Sequence, residues 1–292
     1  MAGNDVQPDK KQAPKIGVVI GYGGIKCNAS IPLFEFLDEA GIEVDLLFLC
    51  SGGATTGALW ATGTTGRGLR EAAKAFWVRK LFSNINYRTL LSIAGLPFGR
   101  FDQSRGLLHP DTIRASYNSA YGDHRIEDIT PRLMIQATDA LNGEPVTLTR
   151  GLLREAVYAS AAMFPVLPAV EIDGRWLIDG AYSSPLPVLE AVKEGMDIII
   201  SMSFEERSSQ DMKGFVGSYM RAAGYTHKWL QRVQTALSLD LHHNEIIMIN
   251  VVFNKSIGLR SVHLLPEIIE AGEQAVAREK EYILAAIKNF NA

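Results

Sequence analysis

The 292-residue sequence predicts a three-layer α/β/α fold around a mostly parallel sheet, on three observations. Apolar runs of strand length recur at 15–20, 44–50, 132–138, 197–203 and 246–252, and helical patterns alternate with them. Gly21-Tyr-Gly23-Gly24-Ile25-Lys26 follows the first run and Ser51-Gly52-Gly53 the second, so the strongest turn signals stand at strand ends, where α/β sheets place their sites. The length accommodates one large α/β domain or two smaller ones, and 15–292 is read as a single domain. Residues 1–14 lack the apolar stretch of a signal peptide and read as a flexible tail.

Lys15-Ile-Gly-Val-Val-Ile20 is a buried strand, and Ile31, Phe34, Leu37 and Ala40 set a helical period that ends at Gly41. The glycines between them let the backbone turn N–H groups toward a ligand, and the helix N-terminus adds roughly half a positive charge. This loop is an anion cradle with three readings. Dinucleotide binding expects G-x-G-x-x-G, but the sixth position is Lys26; a P-loop expects G-x-x-x-x-G-K-[ST], which is absent. An oxyanion hole serving Ser51 fits best.

In Asp45-Leu-Leu-Phe-Leu-Cys50-Ser51 an apolar run breaks at a serine and resumes as a small-residue helix, the pattern of a strand-to-helix nucleophile turn. Such a turn strains its central residue by roughly 1–3 kcal/mol, usually where the exposed hydroxyl has a use. Ser-Gly-Gly alone is also a common loop, and the neighbouring anion cradle tips the reading toward a nucleophile. Cys50 competes for that role, but the spacing to Gly53 selects Ser51, and cysteine more often serves as a small inert residue.

Amphipathic helices are expected at 67–81 and 112–121. After the strand at 132–138, Asp139 precedes the Asn142-Gly143 turn and either borders the cleft or bonds within that turn. Asp173-Gly174 is a hairpin signal between strands at 169–172 and 175–178, so Asp173 is a turn residue. Asp179 closes the second of these strands, and Tyr182-Ser-Ser-Pro-Leu-Pro187 bars a third, leaving the Asp179 carboxylate for another role. The apolar segment 90–98 is either a lid or acyl-chain wall or a buried connection. The helical pattern at 212–239 carries Phe215, Tyr219, Ala222, Trp229, Val233 and Leu237 on roughly one face, with Lys213, Arg221, Lys228 and Arg232 elsewhere. It either lies on a membrane interface or packs on the sheet and over the cleft. A terminal helix follows at 266–289, with Pro266 in its first turn.

Net charge is −3 with both signs interspersed, which argues against nucleic-acid binding. There is no run of about 18 apolar residues to span a membrane. The expected location is cytoplasmic, with peripheral contact at a membrane surface as an option. Cys27 and Cys50 are too few for a disulfide scaffold. The histidines, His242 and His243 included, form no i, i+4 pair, so no metal site or cofactor is expected.

Taken together, these segments resemble the patatin-like phospholipases, in particular the bacterial single-domain branch of the patatin and neuropathy-target-esterase family. The glycine loop 21–26 resembles that family's oxyanion loop ending in a basic residue. Leu49-Cys50-Ser51-Gly52-Gly53 resembles its G-x-S-x-G elbow, and Asp179-Gly180-Ala181 its D-G-[GA] motif. Ala159-Ser-Ala-Ala-Met-Phe-Pro165 and Ala137-Thr-Asp-Ala-Leu-Asn-Gly-Glu144 are similar to further family segments. The resemblance implies a lipid acyl hydrolase with a Ser-Asp dyad: Ser51 attacks an ester carbonyl and Asp179 takes its proton. N–H groups near Gly23, Gly24 and Ile25 hold the oxyanion, Lys26 is the basic residue of that loop, and Cys50, Gly52 and Gly53 shape the elbow. The implied partner is a lipid or other acyl-ester substrate, with no cofactor. An aspartate of ordinary pKa (about 3.9) is a weak base toward a hydroxyl, so the cleft is expected to be apolar enough to raise it.

Four positions depart from the family pattern. Leu49 replaces the first elbow glycine, Cys27 stands where another glycine is usual, Tyr22 interrupts the glycine run, and Lys26 replaces the more frequent arginine. Lys26 keeps the charge and loses the planar fork. Two alternatives follow: acyl transfer by the same dyad, or a lipid-binding or regulatory protein that keeps the fold and has lost turnover because of Leu49.

Overall fold

A computed structural model describes residues 13–93, 101–207, 214–243 and 245–290. The expected tail lies largely outside these residues, as do 94–98 of the apolar segment and the first two residues of the 212–239 pattern.

Strand β1 (Ile16–Ile20) leads through a loop and a 3₁₀ turn (Gly24–Ser30) into helix α1 (Ile31–Glu39), and β2 (Leu46–Cys50) leads directly into α2 (Gly52–Ala61). Helices α3 (Gly66–Phe76), α4 (Tyr87–Ile93) and α5 (Asp111–Tyr121) precede β3 (Arg132–Asp139) and β4 (Pro145–Leu148). Next come α6 (Leu153–Ala161), the hairpin β5 (Val170–Ile172) and β6 (Arg175–Asp179), and α7 (Val188–Lys193). The chain closes with β7 (Ile198–Glu206), α8 (Gly214–Leu241), β8 (Glu245–Phe253) and α9 (Leu265–Phe290).

β3, β2, β1, β7 and β8 pair in parallel in that order, and β4, β5 and β6 add antiparallel pairings at one side. Alternation along the parallel strands makes three layers, because successive side chains point to opposite faces. Val18, Ile20, Leu47 and Leu49 join one core with Phe34, Ala58, Val157 and Ile268 from the helices. Val19, Leu46 and Phe48 join the other with Val188 and Ala191 of α7, against which α8 packs.

The helix expected at 67–81 ends at Phe76, where Leu69, Ala73 and Phe76 complete its buried stripe. The chain then bends to bury Trp77, whose ring packs edge-on against Phe76 and lies 6.3 Å from Phe82. Part of the segment at 90–98 is helical: α4 begins after Asn86, whose Oδ1 accepts the N–H of Thr89. Asp139 bonds within its turn, its Oδ1 accepting the N–H of Leu141.

The register of β3 decides where the loops meet. Ala137 and Thr138 pair with both β4 and β6, so those two strands lie on opposite edges of β3; Ile135 and Gln136 likewise pair with both β4 and β2. β2 and β6 therefore share one edge of β3, end to end. Cys50 lies opposite Gln136 and Asp179 opposite Ala137, successive positions. The residue that leaves β2 and the residue that ends β6 meet head-on.

Candidate active site

Ser51 occupies that meeting point. Its φ of 54° and ψ of −121° are strained for a residue with a side chain, and they turn the backbone straight from β2 into α2. The Ser51 N–H donates to Oγ of fully buried Ser160 at 2.8 Å, so α6 braces the turn. Ser160 belongs to the Ala-Ser-x-Ala-x-Phe-Pro segment, for which sequence pattern alone suggested no role. Ser160→Ala leaves a buried N–H unsatisfied at a strained residue, and is expected to cost about 1–3 kcal/mol. Urea unfolding measures it, and a loss below about 0.5 kcal/mol, the size of a neutral surface change, would show the brace to be dispensable.

The Ser51 hydroxyl donates to Asp179 Oδ2 at 2.6 Å, and Asp179 Oδ1 accepts the N–H of Ala181 at 2.9 Å. Asp179 is buried, and desolvation pushes its carboxyl up to about 6 against the opposing pull of the Ser51 and Ala181 bonds. Neighbouring elements fix its backbone: its N–H donates to Ala162 O, and Thr138 Oγ1 donates to its carbonyl. Cys50 is fully buried, with its Sγ packed against Gly180. Burial, then the charge of Asp179, hold its thiol well above the usual range, so it stays protonated and a poor nucleophile.

Gly24 and Ile25 head the 3₁₀ turn behind the glycine loop, whose first bond runs from the Lys26 N–H to Gly23 O. The N–H groups ahead of that bond have no partner within the turn, which leaves them for an anion. Gly24 takes a φ of 58°, open to glycine, and lies against the start of α2. A Cβ on Gly52 would sit 2.3 Å from Gly24 O and under 3 Å from two further Gly24 backbone atoms. Elbow and glycine loop thus touch backbone to backbone. In α2 the first helical bond is donated by Thr55 to Ser51 O, so the N–H of Gly52 also heads a helix N-terminus beside Ser51, a donor the sequence reading did not single out.

The departures from the family pattern find their places. The Leu49 side chain is fully buried and lies over Gly57 of α2, where a Cβ would come within 2.5 Å of Leu49 Cδ2. The room that a glycine at 49 would leave is supplied eight residues later. The Cys27 thiol donates to Gly21 O at 3.4 Å inside the loop. Lys26 Nζ pairs with Glu206 Oε1 at 2.7 Å, while Glu206 also accepts from Ser256 Oγ and the N–H of Ile257, tying the loop to the end of β7. The Tyr22 ring packs edge-on against His227 of α8, as does Tyr182 just after Asp179. These contacts bring α8 beside both loops, consistent with the reading of the 212–239 pattern as a helix packed over the cleft.

A family model described as patatin-like phospholipase matches residues 18–192. An uncharacterized NTE family protein of Mycobacterium tuberculosis is 29% identical over 191 residues, covering 65% of this chain and 49% of its own. Lysophospholipase NTE1 of Eremothecium gossypii is 26% identical over 204 residues, covering 67% of this chain and 12% of its own. The chain thus spans at most about half the length of these relatives. The crystal structure of VipD from Legionella pneumophila shares the fold with a TM-score of 0.52 at 12% identity, covering 96% of this chain and 67% of that one.

Proposed function

We propose, because this chain belongs to the patatin-like phospholipase family, that it hydrolyses acyl esters of lipids, with Ser51 as nucleophile and Asp179 as general base. The observation that carries the reading is the 2.6 Å bond from the Ser51 hydroxyl to a carboxylate whose burial pushes it up to about 6. A base of that strength is ionised at neutral pH and still basic enough to accept a proton in the transition state.

In the first step Ser51 Oγ bonds to the ester carbonyl carbon while its proton passes to Asp179 Oδ2. The carbonyl oxygen becomes an oxyanion held by N–H groups of Gly23, Gly24 and Ile25, with Gly52 as a further donor. The C–O bond to the alcohol then breaks, and the departing oxygen takes the proton from Asp179. Water attacks the acyl-serine in the second step, Asp179 accepts its proton, and Ser51 leaves as the free hydroxyl with release of the carboxylic acid. In this scheme Lys26, engaged with Glu206, holds the loop in place and does not touch the substrate.

The test is labelling with a serine-reactive fluorophosphonate, read by intact mass. A single adduct on wild type and none on Ser51→Ala is expected. An unlabelled wild type, under conditions that modify a control hydrolase, overturns the reading in favour of a lipid-binding protein without turnover.

A further inference from the structure

Helix α8 turns a row of apolar side chains to solvent and several polar ones inward. A helix on a soluble domain turns apolar residues inward and polar ones outward. Here Tyr225, Trp229 and Val233 are 55%, 64% and 63% exposed, and Leu237 and Leu241 continue the same i, i+4 row into solvent. The inner side carries His227, Gln234, Thr235 and His242, each with a buried polar atom that has no hydrogen-bond partner among the described residues. Tyr219, which the sequence pattern grouped with Trp229, lies at the inner edge and donates to Phe164 O.

That inner side adjoins the candidate site. His227 packs edge-on between Tyr22 of the glycine loop and Tyr182, and Gln234 Nε2 donates to Ser183 O, four residues after Asp179. The ring of Phe164, whose carbonyl also accepts from Tyr182, lies tilted against that of exposed Phe101 at 5.6 Å between centroids, so the apolar surface continues round the rim.

Charge indicates what covers the outer row. Arg221 and Arg232 fall along one flank of the helix together with Lys228, whose ammonium is held by Glu205 at 2.9 Å, and the Arg232 guanidinium lies over the Trp229 ring at 5.3 Å. Tryptophan and tyrosine with a basic edge suit a boundary between headgroups and acyl chains. A twofold antiparallel pairing of two copies would instead set the basic flank against itself.

We propose that the outer face of α8 docks on a phospholipid bilayer bearing anionic headgroups, setting the rim around Tyr182 and Phe101 against the lipid. This deepens the ester-hydrolase reading and rests on it for the identity of the substrate. The docking does not depend on turnover.

The test uses the full chain with sedimentable vesicles of phosphatidylcholine, with and without phosphatidylserine. Wild type is expected to sediment with both and more strongly with phosphatidylserine. The Trp229→Ser/Val233→Ser variant should lose on the order of tenfold or more in partitioning, at an unchanged melting temperature and an unchanged rate on a soluble short-chain nitrophenyl ester. Arg221→Gln/Arg232→Gln should lose the phosphatidylserine increment. Wild type that stays in solution, or a serine variant that binds as wild type does, overturns the proposal. So does a wild-type dimer that the serine variant converts to monomer without any vesicle binding, since the occupant is then a second copy. Stripe-dependent binding by a protein that hydrolyses no ester upholds the docking and removes the hydrolase reading alone.

Discussion

Asp179→Asn is expected to slow ester hydrolysis by roughly 10⁴-fold or more and, at the same time, to stabilise the protein. The asparagine keeps an oxygen for the Ala181 N–H but has no basic site for the Ser51 proton. The stability gain follows from the raised carboxyl. Its folded value of about 6 exceeds the ordinary value of 3.8, so the native state binds the proton more tightly than the unfolded chain. The neutral form is therefore favourable below about pH 4, and that advantage is lost as pH rises through about 6. At pH 8 the buried charge costs on the order of 2–3 kcal/mol. The variant should melt several degrees above wild type at pH 8 and together with it near pH 4, while wild-type kcat/KM rises with pH through about 6. Thermal melts at both pH values and a kcat/KM profile on a soluble ester check this. Hydrolysis by the variant within about tenfold of wild type would remove Asp179 from the base role.

Gly52→Ala is expected to lower kcat by about 10²–10³-fold and to cost about 1–3 kcal/mol of stability, although it adds a single methyl group. The new Cβ would fall 2.3 Å from Gly24 O and 2.6 Å from Gly24 N, with backbone on both sides and no flexible side chain to give way. The glycine loop must move off the elbow, and its N–H groups move with it; a shift of about 1 Å in such donors is worth about 10²-fold. The loss should fall on kcat, because the oxyanion forms after binding, with KM nearly unchanged. Steady-state kinetics and urea unfolding separate the two effects. A rise in KM at constant kcat would place this contact in substrate binding and take the glycine loop out of oxyanion stabilisation.

Much of the fold was legible because its signals are local. Each of the five apolar runs became a parallel strand to within about three residues at either end, since a strand buried on both faces needs an unbroken apolar run and little else. The Asp173-Gly174 hairpin formed as read, with Asp173 at a φ of 50°. The end of α3 was not legible: the helical period continues past Phe76, and the bend comes from burying Trp77 among aromatic rings distant in sequence. α6 and α7 were not singled out as helices, and the service α6 performs, holding the Ser51 N–H with Ser160, depends on a partner 109 residues away.

Local patterns along the chain were enough to establish the fold class, the glycine loop, the strand-to-helix turn at Ser51 and the aspartate that ends its strand, because glycine freedom, strand period and turn chemistry act between neighbours in the chain. Long-range packing placed β2 and β6 on one edge of β3, which sets the Ser51 hydroxyl 2.6 Å from Asp179. It likewise decided that Gly57 makes room for Leu49, that Glu206 holds Lys26, and that α8 turns its tryptophan outward and His227 toward the site. Those outcomes rest on strand register and on contacts between residues far apart in the chain, and a pattern read along the sequence carries no distance between them.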